Sequence, residues 1–244
     1  MRNIVLVVSY DGTAYHGWQC QPGLTTIQQT LQEKIEKIVN HRVKIYGGAR
    51  TDSGVHAFGQ TLNFFTTSTI ELKGLEKGLN SQLPQDIRIR RAREEDDLFH
   101  ARYSAKSKIY IYTIMNVQYN SPFYGRYVWH IPYGLNVGLM NTAVKKIIGV
   151  HDFSSFKKKD EIYQSAVREV LMAGVKKRGD FIYILVEATG FLRYMMRNIV
   201  GTLMLVGSGK LTVGDFEYVL ESKDREMAGP TAPAKGLFLR EIKY

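Results

Sequence analysis

A single cysteine, Cys20, stands in 244 residues, so the chain can form neither an internal disulfide framework nor a cysteine-based zinc site, and the usage fits a reducing compartment. No apolar run reaches the roughly 18 to 20 residues that a membrane span needs. The N-terminal run Ile4-Val5-Leu6-Val7-Val8 is short and passes into Tyr10-Asp11-Gly12 without a small-residue cleavage site, so it reads as a strand and not as a signal peptide. There is no Walker loop, no Gly-x-Gly-x-x-Gly after a strand, no His-Glu-x-x-His, and no His-x-Glu with Pro-Cys-x-x-Cys, which removes the commonest nucleotide-hydrolysing, dinucleotide-binding and zinc-dependent classes. Acidic residues are the minority, 23 against 33 Lys and Arg, for a net charge of +10. That balance suits a polyanionic partner, since phosphate contacts supply most nonspecific nucleic-acid affinity; anionic membranes or acidic proteins would answer to it as well. Fifteen Tyr and eleven Phe among these cations favour RNA, because unpaired bases stack on aromatic and guanidinium faces.

Periodicity and turn residues order the elements. Asn3 to Ser9 is apolar nearly throughout and reads as a central strand. Ile27, Leu31, Ile35, Ile38 and Val39 share one face of a helix over 25–40, with a threonine cap at its start. A strand over 43–46, a strand over 56–66, a helix over 70–82 and a strand over 87–93 complete the order βαββαβ. The second half repeats it: a strand over 108–117, a helix over 137–148, strands over 166–176 and 181–188, a helix over 192–206 and a last strand over 236–242. Residues 119–132 and 211–222 are insertions on that plan. The expected fold is α+β, two tandem ferredoxin-like halves, 1–104 and 105–244, forming one continuous mixed or antiparallel sheet with helices on one face.

Chemistry concentrates in Gly47-Gly48-Ala49-Arg50-Thr51-Asp52-Ser53-Gly54-Val55-His56-Ala57, a glycine-bearing loop between two strands that holds one carboxylate at a strand end. Taken alone, Asp52 could simply cap the turn and Arg50 could be a solvated charge. In Gly190-Phe191-Leu192-Arg193-Tyr194-Met195-Met196-Arg197-Asn198-Ile199-Val200-Gly201, an arginine falls within an apolar helix face, which is costly unless it is paired or reaches solvent. In Ser107-Lys108-Ile109-Tyr110-Ile111-Tyr112-Thr113-Ile114, strand alternation sets Lys108, Tyr110 and Tyr112 on one face.

These three strings, together with Ala228 to Leu237, resemble the tRNA pseudouridine synthase A family over nearly the whole chain. The resemblance implies the pseudouridine synthase fold and an isomerase that converts uridine to pseudouridine in the anticodon stem and loop of tRNA, at positions 38, 39 and 40. It implies Asp52 as the nucleophile, attacking the sugar C1′ or the base C6, or else removing a sugar proton. It implies Arg197 as the partner of Asp52, Tyr110 as the ring stacked on the uracil, and Arg50 as the group that fills the gap left by a flipped base or holds its phosphate. Met196 stands where many members have Val, and Ile111 where many have Arg. The reaction needs no metal and no redox cofactor, and the family acts as cytoplasmic homodimers on tRNA, away from membranes. Thr51 and Ser53 are expected to tie down the loop through hydroxyl-to-backbone bonds; Lys157-Lys158-Lys159 reads as a solvated run or, beside Phe153 and Phe156 in a basic protein, as a contact to the RNA backbone. Two rival readings are a catalytically silent RNA-binding protein on the same scaffold and a methyltransferase using S-adenosylmethionine.

Overall fold

The computed structural model describes residues 1–244. Backbone contacts divide it into two compact units, Met1–Lys106 with Phe238–Tyr244, and Ser107–Leu237.

The first unit runs β1 (Arg2–Tyr10), α1 (Ile27–Val39), β2 (Tyr46–Gly47), β3 (His56–Thr66), α2 (Leu72–Gln82) and β4 (Ile87–Glu95). Thr26 caps α1 by accepting the Gln29 N–H, and Asn40, left-handed at φ 58°, ends it. Between these stops Ile27, Leu31, Ile35 and Val39 recur every fourth residue and are all buried. The sheet order is β4, β1, β3, with antiparallel neighbours, and β2 pairs antiparallel with β3. The strand expected over 43–46 shrinks to Tyr46–Gly47 because α1 takes over its backbone groups. Glu36 accepts the Val43 N–H at 3.1 Å, and the Gln28 amide donates to the Ile45 carbonyl at 3.2 Å.

The second unit runs β5 (Ser107–Met115), β6 (Trp129–His130), α3 (Val137–Lys145), β7 (Gly149–Asp152), β8 (Val167–Arg178), β9 (Phe181–Ala188), α4 (Met195–Gly207) and α5 (Val213–Ser222). Its sheet order is β5, β9, β8, β7, all antiparallel, with β6 parallel on β5. The last strand, β10 (Leu237–Lys243), was expected to belong to the second half. Its residues Phe238 and Leu239 pair in parallel with His56 and Ala57, which places it with the first unit.

Three elements were not read from the sequence. β6, only two residues long, lies within the stretch 119–132 taken as an insertion. β7 is short and lacks alternation, so only its ladder with Val167 to Val170 reveals it. α5 lies in the stretch taken as an insertion, although Thr212 and Asp215 form a complete capping box whose spacing is plain in the sequence. No helix is long and apolar enough to cross a membrane.

Candidate active site

In the first unit the loop before β3 is held from beneath by backbone. Trp18 N–H donates to the Thr51 carbonyl at 3.0 Å, Gly54 N–H to the Tyr15 carbonyl at 3.3 Å, and Val55 N–H to the Asp52 carbonyl at 3.1 Å. The neighbouring chain comes so close that a Cβ on Gly17, at φ 89°, would lie 2.7 Å from the Thr51 oxygen. Ser53 donates its hydroxyl to the Tyr15 carbonyl at 3.2 Å, as expected of it. Thr51 instead meets a side chain, the Tyr10 hydroxyl at 2.8 Å, in the buried interior. Burial raises the pKa of Tyr10 above its ordinary value, so this phenol stays protonated while it ties the loop.

Gln60 is the residue that sequence reasoning missed here. Fully buried on β3, its amide donates to the Ala49 carbonyl at 2.7 Å and accepts the Ala49 N–H at 3.1 Å, clamping both sides of the peptide just before Arg50. A glutamine among the apolar residues of a strand was the available signal, since a buried amide is retained only with partners. The result is a loop with a fixed backbone. Asp52 is half-buried, while Arg50 is exposed and makes no hydrogen bond or ion pair. His56, just beyond, is buried with its Nδ1 3.0 Å from the Asp11 carboxylate and 3.1 Å from the Gly12 nitrogen.

In the second unit Tyr110 and Arg197 are tied to one segment, the connection from β9 into α4. Tyr110 is 7% exposed, and its ring meets Phe191 edge-on, with centroids 4.8 Å apart. The helix expected from Leu192 begins at Met195 because Tyr194 is left-handed at φ 66°, a conformation that does not propagate a right-handed helix. Arg193 therefore precedes the helix and is exposed, and Arg197 falls in its first turn. Arg197 Nε donates to the Ala232 carbonyl at 2.7 Å, and its guanidinium carbon sits 4.8 Å from the centre of the Tyr194 ring. The guanidinium is thus oriented by one carbonyl and one aromatic face.

The proline-bearing loop that supplies this carbonyl is itself anchored. Tyr112 donates to the Pro233 carbonyl at 2.8 Å, and burial raises its pKa against the opposing charge of Arg197. Asn198 donates to the Phe156 and Lys157 carbonyls and accepts from Arg225 and Thr231. Thr202 accepts the Gly229 N–H at 2.9 Å. Gly201 packs against the Pro230 carbonyl so closely that a Cβ there would overlap the oxygen. Tyr112, Asn198 and Thr202 are supports that the sequence reading left unassigned.

The lysine run lies on the surface beside buried rings. Phe153 and Phe156 are completely buried, Lys157 donates to the Glu161 carbonyl at 2.9 Å, and Lys159 pairs with Glu226 at 2.7 Å in an exposed ion pair.

The first unit thus carries a carboxylate on a glycine-bearing loop, and the second an oriented guanidinium at a helix start. A sequence model of the family described as tRNA pseudouridine synthase matches residues 6–104 and 143–244. The protein called tRNA pseudouridine synthase A in Thermoanaerobacter sp. (strain X514) is 47% identical over 244 residues, all of both chains. The protein of that name in Acetivibrio thermocellus is 40% identical over 244 residues, again all of both chains. A solved structure, that of an archaeal box H/ACA sRNP Nop10-Cbf5 complex, gives a TM-score of 0.36 at 11% identity over 92% of this chain and 69% of the other, too distant to carry an argument. The chain belongs to the tRNA pseudouridine synthase family, isomerases that convert uridine to pseudouridine.

Proposed function

We propose that this protein isomerises uridine to pseudouridine in the anticodon stem and loop of tRNA, at positions 38, 39 and 40, with Asp52 as the nucleophile. The observation that carries the reading is the Asp52 loop: its backbone is locked on both sides of the half-buried carboxylate, by the clamp on Ala49 before it and by the Tyr15 and Asp52 carbonyl bonds after it. A carboxylate mounted on a backbone fixed in this way is suited to attack a bound substrate.

In this reaction the bond from C1′ to N1 breaks, the uracil turns, and C1′ joins C5. The C5 proton leaves to solvent and N1 gains one, so product and substrate are isomers and no electrons change hands. Asp52 enters by attack on C1′ or C6, or by removing a sugar proton. Arg197 pairs with the carboxylate and keeps it ionised where water is excluded. Tyr110 stacks on the uracil, and Arg50, free of protein partners, enters the space left by the flipped base or holds its phosphate. The first unit supplies the carboxylate and Arg50, and the second supplies the tyrosine strand and the arginine helix. A cytoplasmic homodimer acting on tRNA completes the proposal.

The test uses a tRNA transcript carrying tritium at uracil C5. Release of tritium by the purified protein, with the modification mapped to the anticodon arm, is the expected result. A protein that binds the transcript and releases none is the silent RNA binder; release that requires added S-adenosylmethionine marks the methyltransferase. Either result overturns the reading.

A further inference from the structure

Just beyond the Asp52 loop, three rings lie in line. His56 stacks on Phe238 with centroids 4.7 Å apart and planes 24° apart, and Phe58 stacks on the same Phe238 at 4.9 Å and 9°. His56 is 1% exposed, whereas Phe58, at the other end of the row, is 59% exposed. A phenylalanine so open in a strand whose other members are almost all buried is the exception on β3.

The backbone accounts for its position. Val8 faces Gln60 and Tyr10 faces Ala57, so a two-residue step on β1 opposes a three-residue step on β3, which is a bulge at Phe58 and Gly59. Bulges of this kind occur beside active sites, where they re-aim a side chain. Here the bulge leaves one face of Phe58 against Phe238 and the rest open. On the neighbouring strand the register Phe238 with His56 and Leu239 with Ala57 brings Arg240 level with Phe58. Arg240 is exposed and makes no hydrogen bond or ion pair.

Resting on the reading of the substrate as RNA, we propose that the open face of Phe58 is a stacking seat for an unpaired base of that RNA, and that Arg240 meets the phosphate beside it. An aromatic face accepts any base, and a free guanidinium next to it takes the backbone charge, the pairing of chemistries by which proteins hold single strands. An apolar protein partner would leave the unpaired Arg240 charge without a purpose.

The experiment compares the native protein with Phe58→Ala, Phe58→Trp and Arg240→Ala for binding of an anticodon stem-loop and of a duplex with the same stem and no loop. Phe58→Ala is expected to weaken stem-loop binding about tenfold, within the usual worth of one stacked base, with Phe58→Trp near native and duplex binding unchanged. Arg240→Ala should lower the salt dependence by about one released ion. Native affinity in Phe58→Ala, or equal losses for stem-loop and duplex, would overturn the proposal, as would a change of sedimentation with unchanged RNA affinity, which would make Phe58 a contact between copies of the chain. A native protein that binds the stem-loop without modifying it refutes the proposed activity and leaves the seat to be judged on binding alone; one that does not bind it refutes both.

Discussion

The Asp52 loop and the start of α4 present opposite charges by opposite means. The loop is fixed through its backbone, by Trp18, Tyr15 and the Gln60 clamp on Ala49. Arg197 is fixed through its own side chain, by the Ala232 carbonyl and the Tyr194 ring, and the loop it grips is part of a larger network through Asn198 and Thr202. The lesson is that the loop's backbone anchors survive loss of the carboxylate, whereas loss of the guanidinium removes an anchor and should touch folding and chemistry together.

Substitutions break this comparison in a definite order. Asp52→Asn should lower tritium release by at least about a thousandfold, roughly 4 kcal/mol of barrier, with the urea midpoint unchanged. Arg197→Ala should lower it by about a hundredfold and also cost about 1 kcal/mol of stability for the lost bond to Ala232, read from the same urea curves. Gly201→Ala, which drives a methyl group into the Pro230 carbonyl, should destabilise the protein by about 2 to 3 kcal/mol without any substitution in the site. Gln60→Ala should cost about 2 kcal/mol, because Ala49 keeps a buried N–H and carbonyl without partners, and should lower turnover more than RNA affinity if the clamp sets the Asp52 loop.

A smaller effect sharpens the contrast between the units. Burial raises the pKa values of Tyr10, Tyr15 and Tyr112 above 10.0, with Asp86 adding to the shift of Tyr15, and carries Tyr244 up to about 12. A folded pKa above the unfolded one means that the folded state holds the proton more tightly. Its stabilisation is complete below pH 10 and declines as pH rises through the folded values. Three of these four tyrosines lie in the unit of the Asp52 loop, so hydrogen exchange above about pH 10 should accelerate there before it does around Tyr112. Simultaneous loss in both units would contradict the assignment.

Much of the scaffold was legible because its signals are local. The fourfold spacing from Ile27 to Val39 gave α1, and the limits of β3 and β9 coincide with those read from apolar runs between turn residues. What escaped depended on distant partners. Val43 to Ile45 has the composition of a strand, but Glu36 and Gln28 satisfy its backbone from a helix. Tyr194 carries no mark of its left-handed backbone, and only that conformation explains why α4 starts three residues late. For the site, the Asp52 loop announced itself through its glycines, whereas the roles of Gln60 and Tyr112 became visible only once Ala49 and Pro233 were beside them.

The central claim is that Asp52 acts on a uridine that the rest of the site has already bound. It is tested most directly by measuring stem-loop affinity and single-turnover tritium release on one preparation of Asp52→Asn. The account predicts affinity within about twofold of native and no release. Release near the native rate, or affinity that falls as far as the rate does, would contradict it.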